Sequence, residues 1–279
     1  MKKKLAAIIV AGLAVCLSAF VLSGCGSSSS DSSDNSTASS DSGEQKTLVV
    51  GFDQEYPPYG YVDDDGSYTG FDLELAQKVC ELEGWEFKAE PIDWDAKDAL
   101  LNSGTISCIW NGFTIEGREN GYAFTDPYMT NGQVVVVKAD SDISSLEDLK
   151  GKVVLTQKGS AALEVLNGDQ AELADTFKEL QTIGDYNNAF MQLESGQVDA
   201  VACDLSIAAY QMSAKPDAFK QLDEALSSEN YGVGFAKDDT ETAAIVTADL
   251  KTLNDNGTVQ ELCDKYADQG ISYDNWLIK

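Results

Sequence analysis

Leu101-Asn102-Ser103-Gly104-Thr105-Ile106-Ser107-Cys108-Ile109 has a counterpart 92 residues further on, Leu193-Glu194-Ser195-Gly196-Gln197-Val198-Asp199-Ala200-Val201. In each stretch a helical pattern ends, a Ser-Gly pair supplies the stop, and the following residues read as a buried strand. The separation is too large for a stacked solenoid, so the two copies mark corresponding positions in two similar lobes. Two lobes imply a cleft between them.

Outward from these motifs, strands alternate with helices. Thr47 to Phe52 and Trp85 to Pro91 read as strands around an amphipathic helix from Asp72 to Glu83, and a second helix is expected through Ala96 to Leu101. This alternation predicts an α/β fold with parallel strands. Strand runs at Gln133 to Lys138 and at Tyr231 to Ala236 are expected to follow two crossings between lobes. The expected division is residues 46–131 with 231–279 for the first lobe and 132–230 for the second. Tyr59, Tyr61 and Asp63-Asp64-Asp65-Gly66 read as a hairpin with a solvated turn, and the acids lack the spacing of a calcium loop. No metal or cofactor is expected.

Composition narrows the function. At 279 residues and 43% hydrophobic content the chain can bury a sizeable core. Its net charge of −28 repels phosphate backbones, which excludes nucleic acid as a partner. The absence of histidine removes Ser-His and Cys-His catalysis and imidazole metal sites. Arg118 is the only arginine among 19 basic residues, which points to a place that needs a planar fork rather than a point charge.

The first residues read as an export signal: Lys2, Lys3 and Lys4 precede an apolar run from Leu5 to Leu22. The run ends in Leu22-Ser23-Gly24-Cys25, which looks like a bacterial lipobox whose Cys25 is lipidated and becomes the new N-terminus. Residues 26–45 are mostly Ser, Asp, Gly, Asn and Thr and form a flexible tether. Cys16 leaves with the signal. Cys80, Cys108, Cys203 and Cys263 are dispersed in apolar patterns and read as buried free thiols.

In open α/β sheets ligands sit beyond the carboxyl ends of the strands. Asp53, Glu55 and Tyr56 follow the first strand; Trp110, Asn111, Gly112, Thr114 and Arg118 follow Ile109. In the second lobe Gln157, Lys158, Gly159 and Ser160 follow Lys152 to Leu155, and Asp204 follows Asp199 to Cys203. This set can hold a zwitterion. Arg118 grips a carboxylate bidentately, and free amides around Ser160 and Ala161 add donors. Asp204, the Thr114 hydroxyl and the Gly112 carbonyl offer three acceptors to an ammonium.

The chain from about Lys46 onward also resembles the family 3 extracellular solute-binding proteins of polar amino-acid ABC importers. The residues that carry the resemblance are Gly51-Phe52-Asp53-Gln54-Glu55-Tyr56-Pro57-Pro58-Tyr59, Gly70-Phe71-Asp72-Leu73-Glu74-Leu75, Trp110-Asn111-Gly112-Phe113-Thr114-Ile115 with Arg118, and Val198-Asp199-Ala200 leading to Asp204. The resemblance implies a type II periplasmic-binding-protein fold, two α/β lobes joined by two hinge strands and closing on one amino acid. It assigns the α-carboxylate to Arg118, the α-ammonium to Gly112, Thr114 and Asp204, and backbone donors to Gly159, Ser160 and Ala161. Tyr56 and Trp94 match positions that sandwich the ligand side chain, and Asp53 the position that meets its polar end. The spacing Thr114-Ile115-Glu116-Gly117-Arg118 is one residue shorter than is usual in the family, a shortening that Gly117 can absorb.

The expectation is therefore a monomeric, lipid-anchored binding component on the outer face of the cell membrane. It delivers a polar amino acid, with a cationic or amide side chain, to an ABC permease. The rival class is an extracytoplasmic enzyme on the same fold, dehydratase-like, with Glu55 or Lys158 as acid or base. A sensor module is a further alternative. The chain runs to Lys279 without a recognisable second catalytic or signalling domain, which disfavours both.

Overall fold

The computed structural model describes residues 45–279. The signal segment, Cys25 and nearly all of the tether lie outside them. The chain begins with β1 (Thr47–Phe52) and a small antiparallel sheet of β2 (Glu55–Tyr56), β3 (Gly60–Val62) and β4 (Tyr68–Thr69). Next come α1 (Phe71–Glu83), β5 (Glu86–Pro91), α2 (Lys97–Asn102), β6 (Cys108–Ile109) and β7 (Tyr122–Phe124). A long strand β8 (Met129–Lys138) then opens a second set: β9 (Val153–Gln157), α3 (Ala161–Asn167), α4 (Ala171–Ala174), β10 (Glu179–Ile183), α5 (Tyr186–Ser195), β11 (Ala200–Asp204), α6 (Leu205–Ala214), β12 (Phe219–Gln221) and β13 (Ser227–Tyr231). Finally β14 (Gly234–Ala236), α7 (Thr240–Asp255) and α8 (Thr258–Lys265) return to the first set.

Two sheets result. The first has the order β5-β1-β6-β14-β7 and the second β10-β9-β11-β8-β12, with β13 also paired to β8. The first four strands of each correspond: three parallel strands, then one antiparallel strand, β14 or β8. The paired Leu-x-Ser-Gly motifs occupy equivalent places, at the ends of α2 and α5 ahead of β6 and β11. Gly104 and Gly196 both sit in the left-handed region, at φ 73° and 76°, where residues with a Cβ are strained. The architecture is that of two α/β lobes.

The structure corrects several sequence expectations. The sheets are mixed rather than parallel, because β14, β7, β8, β12 and β13 run against their neighbours. β8 starts at Met129, ahead of the expected Gln133, since its polar first residues pair with β13. The run Tyr231 to Ala236 divides into the end of β13 and the separate β14. At the division a side chain on Gly232 would press into Ile115, with a Cβ only 2.8 Å from Cδ1. The chain passes between sheets at residues 125–128 and again at 232–233.

The four valines of β8 show why that run is continuously apolar. Val135 and Val137 pack with Val154, Ala162 and Leu166 on one face of the second sheet. Val134 and Val136 join Phe190, Leu193 and Ile207 on the other. A sheet covered on both faces needs apolar residues at every position, and each fully buried valine contributes about 1.5–3 kcal/mol. Cys80, Cys108, Cys203 and Cys263 are buried free thiols. β3 and β4 form the expected hairpin, with Asp63 to Gly66 exposed at its tip.

Candidate functional site

The tips of β1, β6, β9 and β11 bring residues of both lobes into one region. Asp53, just past β1, is 6% exposed. Its backbone N–H donates to Asn111 Oδ1 at 3.0 Å, and its carboxylate accepts from Glu55 N–H at 2.8 Å and from Gln157 Nε2 at 2.6 Å. Burial pushes its carboxyl up to about 6 against those lowering hydrogen bonds. Asn111 therefore positions Asp53, while Gln157 reaches it from the second lobe. A cavity of about 350 Å³ opens beside them, lined by Asp53, Glu55, Trp94, Asp95, Lys158 and Asp185 among others. Five carboxylates line it against one lysine, a lining suited to a cationic group.

Trp94 lies in a 3-10 turn ahead of α2, 8% exposed, with its ring 5.8 Å edge-to-face from Phe113. It lines the Asp53 cavity. Tyr56 does not: it is buried, with its hydroxyl 3.3 Å from that of Tyr231.

Arg118 is 8% exposed. Gly117, at φ 82°, lets the short Thr114-to-Arg118 turn close, and Arg118 N–H donates to Ile115 O at 2.9 Å. The guanidinium donates to the carbonyls of Thr114 and Gly159 at 3.4 Å each and pairs with Glu164 of α3 at 3.0 Å. Its Cζ lies over Phe113, 4.8 Å from the ring centre. Lys97, also buried, donates to Gly159 O at 3.0 Å. Burial first and the neighbouring Arg118 second lower its amine. Two cations of the first lobe thus converge on Gly159 of the second, whose φ of 65° suits only glycine well. Ser160 caps α3, accepting from Leu163 N–H at 3.2 Å, and Ala161 is the first residue of that short helix.

Asp204, the last residue of β11, is 5% exposed. It accepts from Gln133 Nε2 at 2.7 Å, Asn131 Nδ2 at 3.0 Å and the Tyr231 hydroxyl at 3.1 Å. Desolvation raises its carboxyl, opposed by hydrogen bonding from Gln133, Tyr56 and Tyr231 and by the charge of Arg118. Glu229 of β13, which the sequence reading did not single out, accepts from the same two amides at 2.7 Å each and from Thr114 Oγ1 at 2.8 Å. Burial and the adjacent Asp204 push it up to about 7. Gly112 donates its N–H to the buried Asp72 at 2.7 Å, which leaves its carbonyl for other partners. Of the missed residues only Gln133 adjoins an apolar strand run; Asn131 and Glu229 sit in the polar stretches Thr130-Asn131-Gly132 and Ser228-Glu229-Asn230, which carry no local signal.

A positive group and a buried acid pair therefore share one region between two α/β lobes, joined through Thr114, Glu229 and Gln133. That combination defines a two-lobed binder of small solutes. The chain belongs to the bacterial extracellular solute-binding proteins, family 3, whose model matches residues 48–269. It is 30% identical to the L-cystine-binding protein TcyJ of Escherichia coli (strain K12), over 80% of this chain and 83% of that protein. It is 32% identical to a glutamine-binding protein of Geobacillus stearothermophilus, over 82% and 92%. A solved substrate-binding protein of an ABC uptake transporter from Streptococcus pneumoniae with bound histidine superposes with a TM-score of 0.77 at 31% identity, covering 81% of this chain and 94% of that one. These relatives are binding proteins, and the role of this chain is binding rather than catalysis. No described helix is long and apolar enough to cross a membrane.

Proposed function

We propose that this protein is the lipid-anchored substrate-binding component of an ABC importer and captures a polar amino acid with a cationic or amide side chain. The observation that carries this reading is the placement of Arg118 and Asp204 in one interlobe region, with an acid-lined cavity beside Asp53. Arg118 takes the α-carboxylate, in competition with Glu164. Asp204, Thr114 and the Gly112 carbonyl take the α-ammonium, and amides of Gly159, Ser160 and Ala161 assist. Asp53 meets the polar end of the side chain, against Trp94. Tyr56 supports the site from its buried place beside Tyr231. The lobes expected at 46–131 with 231–279 and at 132–230 close around the ligand, Cys25 holds the chain at the membrane, and the permease receives the cargo.

Thermal-shift screening against the twenty amino acids and cystine tests this directly. A ligand that binds only the folded state raises the melting temperature with its affinity and concentration. Stabilisation by arginine, lysine, glutamine or cystine is expected, and no shift with any of them would overturn the reading.

A further inference from the structure

Asp204 and Glu229 form a pair with unusual chemistry. Both are almost fully buried, at 5% and 3% exposure. The same oxygen of each, Asp204 Oδ1 and Glu229 Oε1, accepts from both the Gln133 and the Asn131 amide groups, at 2.7 to 3.0 Å. An amide NH2 has two hydrogens, so each amide is fully spent on bridging the two acids. No lysine or arginine among the described residues forms a salt bridge with either acid. The Gln133 oxygen on the same bridging amide is buried and unpartnered, although it can accept from a donor.

Two carboxylates this close in a desolvated site do not both carry charge without a compensating positive partner. A proton satisfies that need in the unliganded protein. An ammonium satisfies it better, because it brings the charge together with three N–H donors, and the site holds an amide oxygen that lacks one. We propose that Glu229 is a ligand-site residue that forms, with Asp204, a two-carboxylate ammonium site whose single shared proton is expelled when the ligand's ammonium enters. No covalent bond to carbon changes: the proton leaves a carboxyl oxygen for the buffer, and both acids become carboxylates facing R-NH3+. The inference rests on the amino-acid reading above and deepens it.

The surroundings single out this pair. Tyr56, Tyr59 and Tyr231 face it and stay neutral, since burial raises all three well above their usual range. Arg118 faces it from the turn after β6, and Glu116, Glu164 and Asp169 lie along the neighbouring rim. Asp53 titrates at about 6 and can add a proton of its own.

The test is calorimetric titration of the full chain with L-arginine, L-glutamine and L-cystine, at about pH 6 and about pH 8, in buffers of different ionisation enthalpy. Release of about one proton per bound ligand is expected at the lower pH, falling toward none at the higher, with affinity rising about tenfold per pH unit below neutrality. Glu229→Gln should lose the share of that release that belongs to the pair and keep at most the share of Asp53, while Asp53→Asn should keep the share of the pair. Equal release from Glu229→Gln and wild type would overturn the proposal. Should Glu229→Gln fail to fold or bind, the Asp53→Asn chain decides alone: an affinity independent of pH refutes the shared proton. Binding with buffer-independent heats removes only this inference, whereas no binding by any amino acid removes the amino-acid reading with it.

Discussion

Gln157 of the second lobe donates its side-chain amide to Asp53 of the first at 2.6 Å, so the carboxylate proposed to read a ligand side chain is already engaged across the cleft. The same amide donates to Gly184 O at 2.9 Å, which fixes its orientation. A ligand side chain has to outcompete or join this bond, and a cation does so better than a neutral group because it also offsets the acidic lining.

Asp53→Ala should therefore reorder ligands. A cationic amino acid is expected to lose about 1.5–3 kcal/mol, the usual worth of a hydrogen bond to a charged group, and a small neutral one much less. Calorimetry with arginine, glutamine and alanine measures the ranking. Equal losses for all three would show that Asp53 does not read the side chain.

Arg118→Lys keeps the charge but loses the fork, and a pairing closed off from water is sensitive to that change. A loss of about 2 to 5 kcal/mol is expected for every amino-acid ligand, with Asp204→Ala comparably severe. Binding by Arg118→Lys within a factor of about three of wild type would remove Arg118 from the carboxylate role.

Stability of the unliganded protein should fall as pH rises from about 4 to about 8. Burial raises Asp53 to about 6 and Asp72 and Glu229 to about 7, from 3.8, 3.8 and 4.5. The folded chain then keeps protons that the unfolded chain has released, and the resulting penalty is absent below the unfolded values and complete above the folded ones. The melting temperature should be higher at pH 5 than at pH 8, and Asp72→Asn should flatten part of the slope. A rise toward pH 8 would contradict these assignments.

Gly117→Ala should cost about 1–2 kcal/mol, through the backbone alone. The glycine has φ 82°, and an added Cβ would meet nothing within 4 Å. Because this residue carries the short turn ahead of Arg118, ligand affinity should fall as well. Chemical denaturation and calorimetry on the same sample separate the two effects, and an unchanged affinity would show that the turn does not position Arg118.

Cys25→Ala should release the protein to the medium, since one residue then decides anchoring. Fractionation checks this: a variant that stays in the membrane pellet would argue against lipidation at Cys25.

Local pattern was enough for several elements of the first lobe and for the two-lobed plan. β1 has the expected boundaries, α1 begins one residue before Asp72, and the Leu-x-Ser-Gly motifs end corresponding helices. Periodicity reports which face of a segment is buried, and glycine reports where the backbone turns left-handed; both are properties of neighbouring residues. Arg118 and Asp204 were legible as candidates in the sequence alone, because a lone arginine and an acid at a strand end are visible without partners. Only the tertiary structure decided the strand order, in which β14 comes from near the end of the chain to lie between β6 and β7. It alone joined Glu229 to Gln133 and Thr114, partners 96 and 115 residues away. Those contacts depend on which surfaces meet once both sheets have formed, and the charge a buried acid carries is set by those distant partners rather than by its neighbours in the chain.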